Sequence, residues 1–461
     1  MTASSNGNHH NRDVRTAPLW PVARALSIAR RNLGRTVGSG APVRYPPRPA
    51  LASSRKRTPA PRLGVWLFGA YGGLATTLVV GARAIARGLA PAHGLMTETD
   101  VARGIELQPI DGLVFGGHEI RTGDYAAQAA EIQQRTATFP HPLLARLRAD
   151  LAAASRNVVP GVLPNPGKAI AALADARPKR PPKLRAQVEQ VQADLQAFAR
   201  RHRLDRIVCV NLTSTEPALR PHAAHASLAA FDRALDRDLV RAVRPSALYA
   251  YAAASLGLPL IHFTPSNSAF LPAIRELFAA TGAPYMGSDG KTGETLVKSA
   301  LAPMFKYRNL RVLTWQGYNI LGDRDGRVLA ERENKLTKVG SKDALLPSIL
   351  GYPLHTHVGI DYVPSLHDLK TAWDFVHFEG FLGFRMALQF VWQGCDSILA
   401  APLVLDMVRL ADLAARRGES GPMPQLACFF KQPLDGAEHD LHRQWHTLVD
   451  YLDRVRRTGG R

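Results

Sequence analysis

Cysteine is nearly absent from this sequence, and its scarcity excludes several classes of protein. Only Cys209, Cys395 and Cys428 occur among the 461 residues. Three distant thiols form no disulfide scaffold and match no zinc-ligand spacing, so we expect reduced thiols and a cytoplasmic protein. Collagen and coiled coil are excluded too, because no Gly-X-Y repeat or sustained heptad is present. The 46% of apolar residues suffices for two or three domains with buried cores.

Acidic residues are scarce at the start of the chain. Residues 1–61 contain ten Arg and one Lys but only one acid, Asp13, and so carry about half of the net charge of +20. Abundant Pro, Ser and Arg with few large apolar residues predict a basic, disordered tail. The composition fits a solvated tail, a segment that binds phosphate-bearing or membrane surfaces, or an organelle transit peptide. We favour the solvated tail and expect no nucleic-acid partner.

Long uncharged runs are scarce as well. One stretch, residues 63–82, has the length of a membrane span and carries no charge. It contains five glycines, three of them clustered at its centre. An apolar run, residues 65–68, leads into this cluster, and an amphipathic stretch, residues 76–89, follows it. The pattern predicts a strand, a tight turn and a helix of a soluble protein rather than a membrane span.

The turn itself contains Gly69, Gly72 and Gly73, followed by Thr76 and Thr77. Glycines allow a tight turn and let a pyrophosphate approach the backbone, while the helix that follows offers free N–H groups. The match to G-x-G-x-x-G is imperfect, and no acid stands about 20 residues further on to bind a ribose. A dinucleotide site and an ordinary glycine-rich strand–helix turn therefore both fit the turn when it is considered alone.

The middle of the chain keeps an α/β rhythm. Arg206–Asn211 and residues 258–263 are predicted strands, and each is followed by a polar cluster, residues 213–216 and 264–267. Open parallel sheets bind ligands at the carboxyl ends of their strands, although a hydrogen-bonded turn is the plainer interpretation. Residues 158–185, rich in Pro, Gly and basic residues, are predicted to be an excursion between strands.

Lysine is strongly under-used in favour of arginine. The chain has 12 Lys and 46 Arg, and eight of the lysines lie between Lys291 and Lys431. A lysine ammonium has an adjustable pKa, whereas a guanidinium stays protonated. Lys338 and Lys342 would share one face of a helix and lower each other's pKa, as acid/base or enolate chemistry requires. A solvated basic face is the alternative, and the preference for Arg elsewhere weakens it.

Several separated segments resemble motifs of the inositol-3-phosphate synthases, also called myo-inositol-1-phosphate synthases. The resemblance extends from about residue 64 to 433. Lys338 and Lys342 stand where the family has two catalytic lysines, and Lys431 stands where it has a lysine before a small residue and Pro. The matching segments are 115–119 (family F-G-G-W-D), 264–267 (S-P-Q-N), 287–295 (G-D-D-x-K-S-G-Q-T), 318–326 (Y-N-H-L-G-N-N-D-G), 362–370 (Y-V-x-x-x-G-D-S-K) and 395–400 (E-D-S-L-L-A).

The resemblance implies an α/β fold with a Rossmann-type NAD-binding domain at residues 62–297, completed by 399–461. An inserted α/β catalytic and oligomerisation domain would span residues 298–398 and assemble a homotetramer. The implied reaction oxidises glucose 6-phosphate at C5 with NAD⁺, enolises it and joins C1 to C6 by an aldol step. Reduction by the same cofactor then gives 1D-myo-inositol 3-phosphate. Lysines would supply the fixed positive charge that the developing oxyanions need.

Residue roles follow from the same resemblance, and no metal ligands are expected. The implied catalytic residues are Lys338, Lys342, Lys370, Lys431, Asp289 and Asp396. The implied cofactor-binding residues are Gly69, Gly72, Gly73, Thr76, Thr77, Glu119, Thr213, Ser214, Asp289 and Asp396. The implied substrate-binding residues are Lys291, Thr292, Gly293, Glu294, Thr295, Leu321 and Asp323.

The sequence also departs from the family pattern where phosphate is expected to bind. Glu294 replaces Gln and Asp323 replaces Asn, and two carboxylates would repel a phosphate dianion unless they are paired or protonated. Arg324 is a candidate partner for Asp323. These changes leave three alternatives open: a paralogue that cyclises a different sugar or sugar phosphate, an ordinary NAD-dependent sugar dehydrogenase, and an NAD-binding pseudoenzyme.

Overall fold

The computed structural model describes residues 62–175, 181–322, 345–436 and 438–459. Two β-sheets organise these residues, and both belong to one unit, Pro59–Arg461. The predicted basic tail at residues 1–61 lies outside the described residues. So do three residues with predicted roles in the site, Lys338, Lys342 and Asp323.

The larger sheet has seven strands, all parallel, in the order β11-β6-β5-β4-β1-β2-β3. The strand order 3-2-1-4-5-6 is that of the Rossmann fold, with a switch point between β1 and β4. The predicted fold class is therefore confirmed. The strands are β1 (Leu63–Phe68), β2 (Leu113–Glu119), β3 (Val158–Pro160), β4 (Arg206–Asn211), β5 (Leu260–His262), β6 (Pro284–Gly287) and β11 (Gly421–Pro422).

Thirteen α-helices occur within the described residues, and local sequence explains where several of them begin. Asp124 and Asp440 accept backbone N–H groups at the starts of α2 and α13, and Pro245 and Pro272 begin α8 and α9. The helices are α1 (Gly73–Ala86), α2 (Tyr125–Thr136), α3 (Leu143–Arg146), α4 (Arg148–Ser155), α5 (Lys168–Ala171), α6 (Leu184–His202), α7 (Leu228–Asp236), α8 (Pro245–Ser255), α9 (Pro272–Thr281), α10 (Gly293–Tyr307), α11 (Leu345–Leu350), α12 (Asp396–Arg416) and α13 (Leu441–Thr458).

The two ends of the described chain build one face of the larger sheet together. Helix α12 packs along α1, and Leu78, Val404 and Leu452 belong to the same buried apolar cluster. The Asp406 carboxylate of α12 also holds the segment that follows α1, by accepting the backbone N–H groups of Met96 and Thr97, at 2.8 and 3.0 Å. Helices from the C-terminal part of the chain therefore help to cover one face of the sheet that the N-terminal strands begin.

The smaller sheet has the order β10-β9-β7-β8. Only β7 and β8 run parallel; the other pairs are antiparallel. Its inner face packs Trp315 and Val376 against Phe305 of α10 and Ile349 of α11, and its outer face is open. The strands are β7 (Arg311–Leu321), β8 (His355–Tyr362), β9 (Leu369–Glu379) and β10 (Arg385–Cys395).

Two observations bear on the predicted domain organisation. Helices α10 and α12 run across the predicted boundaries at 297/298 and 398/399, so each helix joins the two regions. The boundaries themselves stay a prediction.

The predicted excursion at residues 158–185 was wrong at its start, because Val158–Pro160 pair with Gly117–Glu119 as β3. Pro160 is tolerated there because β3 is an edge strand and needs no further N–H donor. None of the helices in the described part of the chain has the length and apolarity that a membrane span requires.

Candidate active site

The glycine turn joins the buried strand β1 to helix α1, as the sequence predicted. Gly69 has φ +87°, and a Cβ atom at this position would lie 2.9 Å from the carbonyl oxygen of Leu212. The backbone N–H groups of Gly69 and Ala70 both donate to the carbonyl of His118, at 2.9 and 3.1 Å. The turn is thus held between the carboxyl ends of β2 and β4, where a Rossmann sheet binds its ligand.

The start of helix α1 has the features of an anion site. Its N-cap residue is Gly72, which offers no side-chain oxygen to the helix N–H groups. A Cβ at Gly73 would lie 3.6 Å from the Asp368 carboxylate, so an acidic side chain stands at this helix start and a pyrophosphate would have to displace it. Thr76 and Thr77 are buried, and within the described residues their hydroxyls have no hydrogen-bond partner. This arrangement fits the pyrophosphate of a dinucleotide.

The acid expected to bind the ribose stands at the end of the second strand, not about 20 residues after the glycine turn. Glu119 is the last residue of β2, and its Oε2 accepts the backbone N–H of Tyr71 in the glycine turn at 2.7 Å. Residues 88–112 lie between α1 and β2, which explains why no acid occurs about 20 residues after the turn. Thr213 follows β4, next to Gly69, and donates to Asn211 Oδ1 at 2.8 Å. Ser214 is half-buried in the same loop.

Four of the six predicted catalytic residues form two lysine–carboxylate pairs around the start of α10. Lys431 Nζ lies 2.9 Å from Asp289 Oδ1, and Lys370 Nζ lies 3.1 Å from Asp396 Oδ2. A Cβ at Gly293 would lie within 4 Å of both Lys370 Nζ and Asp396 Oδ1. The two pairs therefore flank one loop, residues 287–293, although they come from segments far apart in sequence.

Backbone hydrogen bonds hold this loop against the segment that carries Lys431. The Lys431 N–H donates to the Asp289 carbonyl at 2.7 Å, and the Lys291 N–H donates to the Phe429 carbonyl at 2.8 Å. Asp289 has φ +60°, a conformation that non-glycine residues seldom adopt. The register fixes the Asp289 carboxylate opposite Lys431.

The first turn of α10 has no side-chain cap within the described residues. Thr292 is the N-cap residue but makes no capping hydrogen bond; its hydroxyl lies 3.5 Å from Asp396 Oδ1 instead. Gly293 has φ +51°, and Thr295 is buried in the same turn. Leu321 is buried at the end of β7, where its carbonyl accepts the N–H of Val363. A helix start of this kind is suited to a phosphate.

Lys291 belongs to this loop, but its side chain turns away from the two pairs. The side chain is only 1% exposed, and its Nζ donates to Gln444 Oε1 of α13 at 2.5 Å. The pKa of Lys291 is lowered to about 8, mainly by burial and in small part by the nearby Lys431, against the opposing effects of Cys428 and Asp440. Its predicted role in substrate binding stays a prediction.

Sequence reasoning missed a buried polar cluster behind the loop. Lys298 Nζ lies 2.5 Å from Glu294 Oε1 and 3.4 Å from Asp374 Oδ1. Trp315 Nε1 donates to Asp374 Oδ1 at 2.7 Å, and Asn319 Nδ2 donates to Glu294. The only sequence signal was the i, i+4 spacing of Glu294 and Lys298 on a helix.

Space for this cluster comes from Gly317 on β7, where a Cβ would collide with the Glu294 carboxylate. Burial raises the pKa of Asp374 to about 6, since desolvation outweighs the attraction of Lys298. The Glu294 side chain therefore points into the interface between α10 and the smaller sheet and is neutralised there. Within the described residues no group of three or more His, Cys, Asp or Glu side chains is placed to hold a metal ion.

The strand order, together with the starts of α1 and α10 that are suited to bind anions, defines an α/β protein of the Rossmann type with an added mixed sheet. Comparison with known proteins makes this specific. A family described as Myo-inositol-1-phosphate synthase, whose model is named as an NAD-binding one, matches residues 63–453. The chain belongs to this family and is an enzyme of the isomerase or lyase kind.

Curated relatives agree with this assignment. Inositol-3-phosphate synthase 1 of Bacteroides thetaiotaomicron is 32% identical over 417 residues, covering 85% of this chain and 95% of the relative. Inositol-3-phosphate synthase 1 of rice, Oryza sativa subsp. japonica, is 30% identical, with 86% and 81% covered.

Solved structures share the fold. The inositol-3-phosphate synthase of Caenorhabditis elegans superposes with a TM-score of 0.76 at 22% identity and covers 86% of both chains. A myo-inositol-1-phosphate synthase-related protein of Thermotoga maritima superposes with a TM-score of 0.70 at 20% identity, covering 85% of this chain and 98% of its own.

Proposed function

We propose that the protein converts glucose 6-phosphate to 1D-myo-inositol 3-phosphate, using NAD catalytically. The observation that carries this proposal is the convergence of Lys370–Asp396 and Lys431–Asp289 on one loop. Ring closure creates negative charge on carbonyl oxygens, and fixed ammonium groups in a partly dry site stabilise that charge. A simple sugar dehydrogenase has no need for such separated lysines.

Each group has a proposed task. The helix start at Gly72–Gly73, with Thr76, Thr77, Thr213 and Glu119 around it, would hold NAD, which supplies the oxidation and the matching reduction when it is bound. Lys370 and Lys431 orient the substrate and stabilise the oxyanions, and Asp289 and Asp396 hold the two ammonium groups in place. Lys338 and Lys342, outside the described residues, are proposed to move the proton in enolisation.

The phosphate group would bind at the start of α10, through the N–H groups of residues 293–295. Glu294 does not oppose this binding, because its carboxylate is paired with Lys298 and faces Gly317 rather than the loop. The repulsion expected from sequence for a Gln-to-Glu change is therefore largely cancelled at this position. With this pairing, Glu294 does not exclude a phosphorylated sugar.

A homo-oligomer is part of the proposal. On the outer face of the smaller sheet, Val391, Trp373 and Tyr318 lie in register across β10, β9 and β7, and all three are exposed. Burying such an apolar row against a second copy would be favourable. We expect Val391→Asp to dissociate the oligomer in sedimentation experiments, whereas Met304→Asp, on an exposed apolar residue of α10, should not.

The decisive experiment incubates the purified protein with glucose 6-phosphate and NAD⁺, follows absorbance from NADH and identifies products by phosphorus and proton NMR. We expect an inositol monophosphate without net NADH. Accumulating NADH would instead indicate a sugar dehydrogenase. Bound NAD without turnover would require tests of isomeric and unphosphorylated sugars or point to a pseudoenzyme. The cytoplasmic location and the role of residues 1–61 stay predictions.

A further inference from the structure

The carboxyl end of β2 carries an ion pair, Glu119 with Arg121, at the edge where a Rossmann sheet meets the adenosine ribose. Arg121 donates through Nε to Glu119 Oε1 at 3.3 Å and through Nη2 to Oε2 at 3.1 Å. In this fold an acid at this place binds the ribose 2′-hydroxyl of NAD, and a nearby arginine accommodates the 2′-phosphate of NADP. This chain has both residue types at this place, the acid Glu119 and the arginine Arg121.

The Glu119 carboxylate is already committed to the protein. Its Oε1 accepts the backbone N–H groups of Ile120 and Arg121, at 2.8 and 3.2 Å, and its Oε2 accepts the N–H of Tyr71. With the two bonds from the guanidinium, these contacts use the acceptor capacity of about four lone-pair sites that a carboxylate offers. Its charge is balanced by Arg121, so it repels a nearby phosphate less than a lone carboxylate would.

The Arg121 guanidinium has N–H groups that no hydrogen bond uses within the described residues. Its Nη1 donates to the neutral Gln128 Oε1 at a long 3.3 Å, and its Nη2 donates to Glu119. Within the described residues these are the two acceptors that its Nη groups bind. Of the five guanidinium N–H bonds, two are left for a ligand. The neighbouring acids are occupied elsewhere: Asp124 caps α2, and Asp175 accepts from Thr122.

We propose that Arg121 is a specificity-determining residue that lets this site bind nicotinamide dinucleotides bearing an adenosine 2′-phosphate, NADP, as well as NAD. The inference rests on the proposed function, since it requires the dinucleotide to bind at the glycine turn. A free carboxylate at Glu119 would exclude the 2′-phosphate; the Glu119–Arg121 pair removes that exclusion and presents charged donors in its place.

The test measures equilibrium binding of NAD⁺ and of NADP⁺ separately to the full chain by titration calorimetry. For the unaltered protein we expect a Kd for NADP⁺ within about tenfold of that for NAD⁺. Arg121→Ala should raise the NADP⁺/NAD⁺ ratio of Kd values by about tenfold or more, because it frees the Glu119 carboxylate and removes the donors. Arg121→Lys, which keeps the charge without the two-point geometry, should give an intermediate ratio.

The matched control is Arg135→Ala, which removes one arginine from the neighbouring helix α2, where Arg135 pairs with Glu131. Its ratio should match that of the unaltered protein. Tight NAD⁺ binding without NADP⁺ binding, or an unchanged ratio in Arg121→Ala, would overturn the inference and leave the proposed function standing. If neither nucleotide binds, both fail. Binding serves as the readout throughout, so catalytic turnover is not required.

Discussion

Two groups of lysines lie on opposite sides of the first turn of α10, and they differ in how their charge is balanced. Lys370 and Lys431 each face one carboxylate; both lysines and Asp396 are partly exposed, whereas Asp289 is buried. Lys298 faces two carboxylates, Glu294 and Asp374, and all three are buried. A partly exposed pair can exchange its partner for substrate, whereas a buried triad can lose a member only at the cost of an unbalanced charge. The same residue type therefore serves chemistry on one side and folding on the other.

The strongest test of this difference is Lys370→Met. We expect kcat/KM to fall by about 10³-fold, because the ammonium is proposed to stabilise an oxyanion. The free energy of unfolding should change by less than about 1 kcal/mol, since Asp396 is partly exposed and becomes solvated again. Steady-state kinetics and urea unfolding measure the two quantities. Lys306→Met, at the far end of α10, serves as the control and should leave kcat/KM unchanged; a similar loss there would refute the site assignment.

The reverse result is expected for Lys298→Met. Removing this ammonium leaves Glu294 and Asp374 buried without their cation, and we expect a loss of about 3 kcal/mol in the free energy of unfolding. Urea unfolding is the measurement. The double variant Lys298→Met with Glu294→Gln should recover part of the loss, because one buried charge is removed with the other. No recovery would mean that the cluster does not act as one unit.

A smaller effect should appear in the pH dependence of stability. Burial raises the pKa of Asp374 to about 6 in the folded state, so the folded protein binds more protons than the unfolded chain between about pH 4 and 6. This group therefore stabilises the fold at low pH, and that contribution is lost as the pH rises through its folded-state pKa. Unfolding free energies of the unaltered protein and of Asp374→Asn should converge at low pH and separate above pH 6. Parallel pH profiles would contradict this.

The smallest predicted effect concerns Lys291, which resembles Lys298 in burial but has only a neutral partner, Gln444. The titratable groups that surround it are Cys428, Lys431, His439 and Asp440. With its pKa lowered to about 8, Lys291 loses its charge as the pH rises through that value. If its charge helps to attract the phosphate, kcat/KM should fall over the same range.

The Lys291 prediction can be checked with two variants that should shift the pH–rate profile in opposite directions. Gln444→Glu places a carboxylate beside the ammonium and should move the alkaline limb of the pH–rate profile upward. Gln444→Leu removes the acceptor and should move it downward. A limb that stays in place in both variants would assign the titration to another group.

Local sequence signals predicted an α/β rhythm and three strands of the larger sheet, whereas the Rossmann-type domain was implied by the family resemblance. Buried strands followed by glycine or polar clusters identified β1, β4 and β5 and the turn at Gly69–Gly73. The family resemblance named Lys370, Lys431, Asp289 and Asp396 as catalytic residues. It did not predict which lysine pairs with which carboxylate, because the partners lie 26 and 142 residues apart and no local pattern links them.

Two features of the site could not be predicted in the same way. Glu294 was expected to repel phosphate, and its actual direction depends on Gly317 and Asp374, which come from different strands of the smaller sheet. Lys291 was expected to face the substrate, and its contact with Gln444 depends on how α13 docks. Burial and partner choice of this kind are tertiary properties, which sequence spacing does not encode.

The packing of α12 on α1 has a consequence for how the protein is made. Asp406 and Arg409, near the end of the chain, hold residues 96–108 near its beginning. While a ribosome is still translating residues before 396, helix α1 lacks α12, and the apolar surface of α1 that α12 covers is exposed. The larger sheet can therefore complete its packing only after synthesis is nearly finished, and a nascent chain would need protection from aggregation until then. A premature stop before residue 396 should yield insoluble product rather than an isolated N-terminal domain.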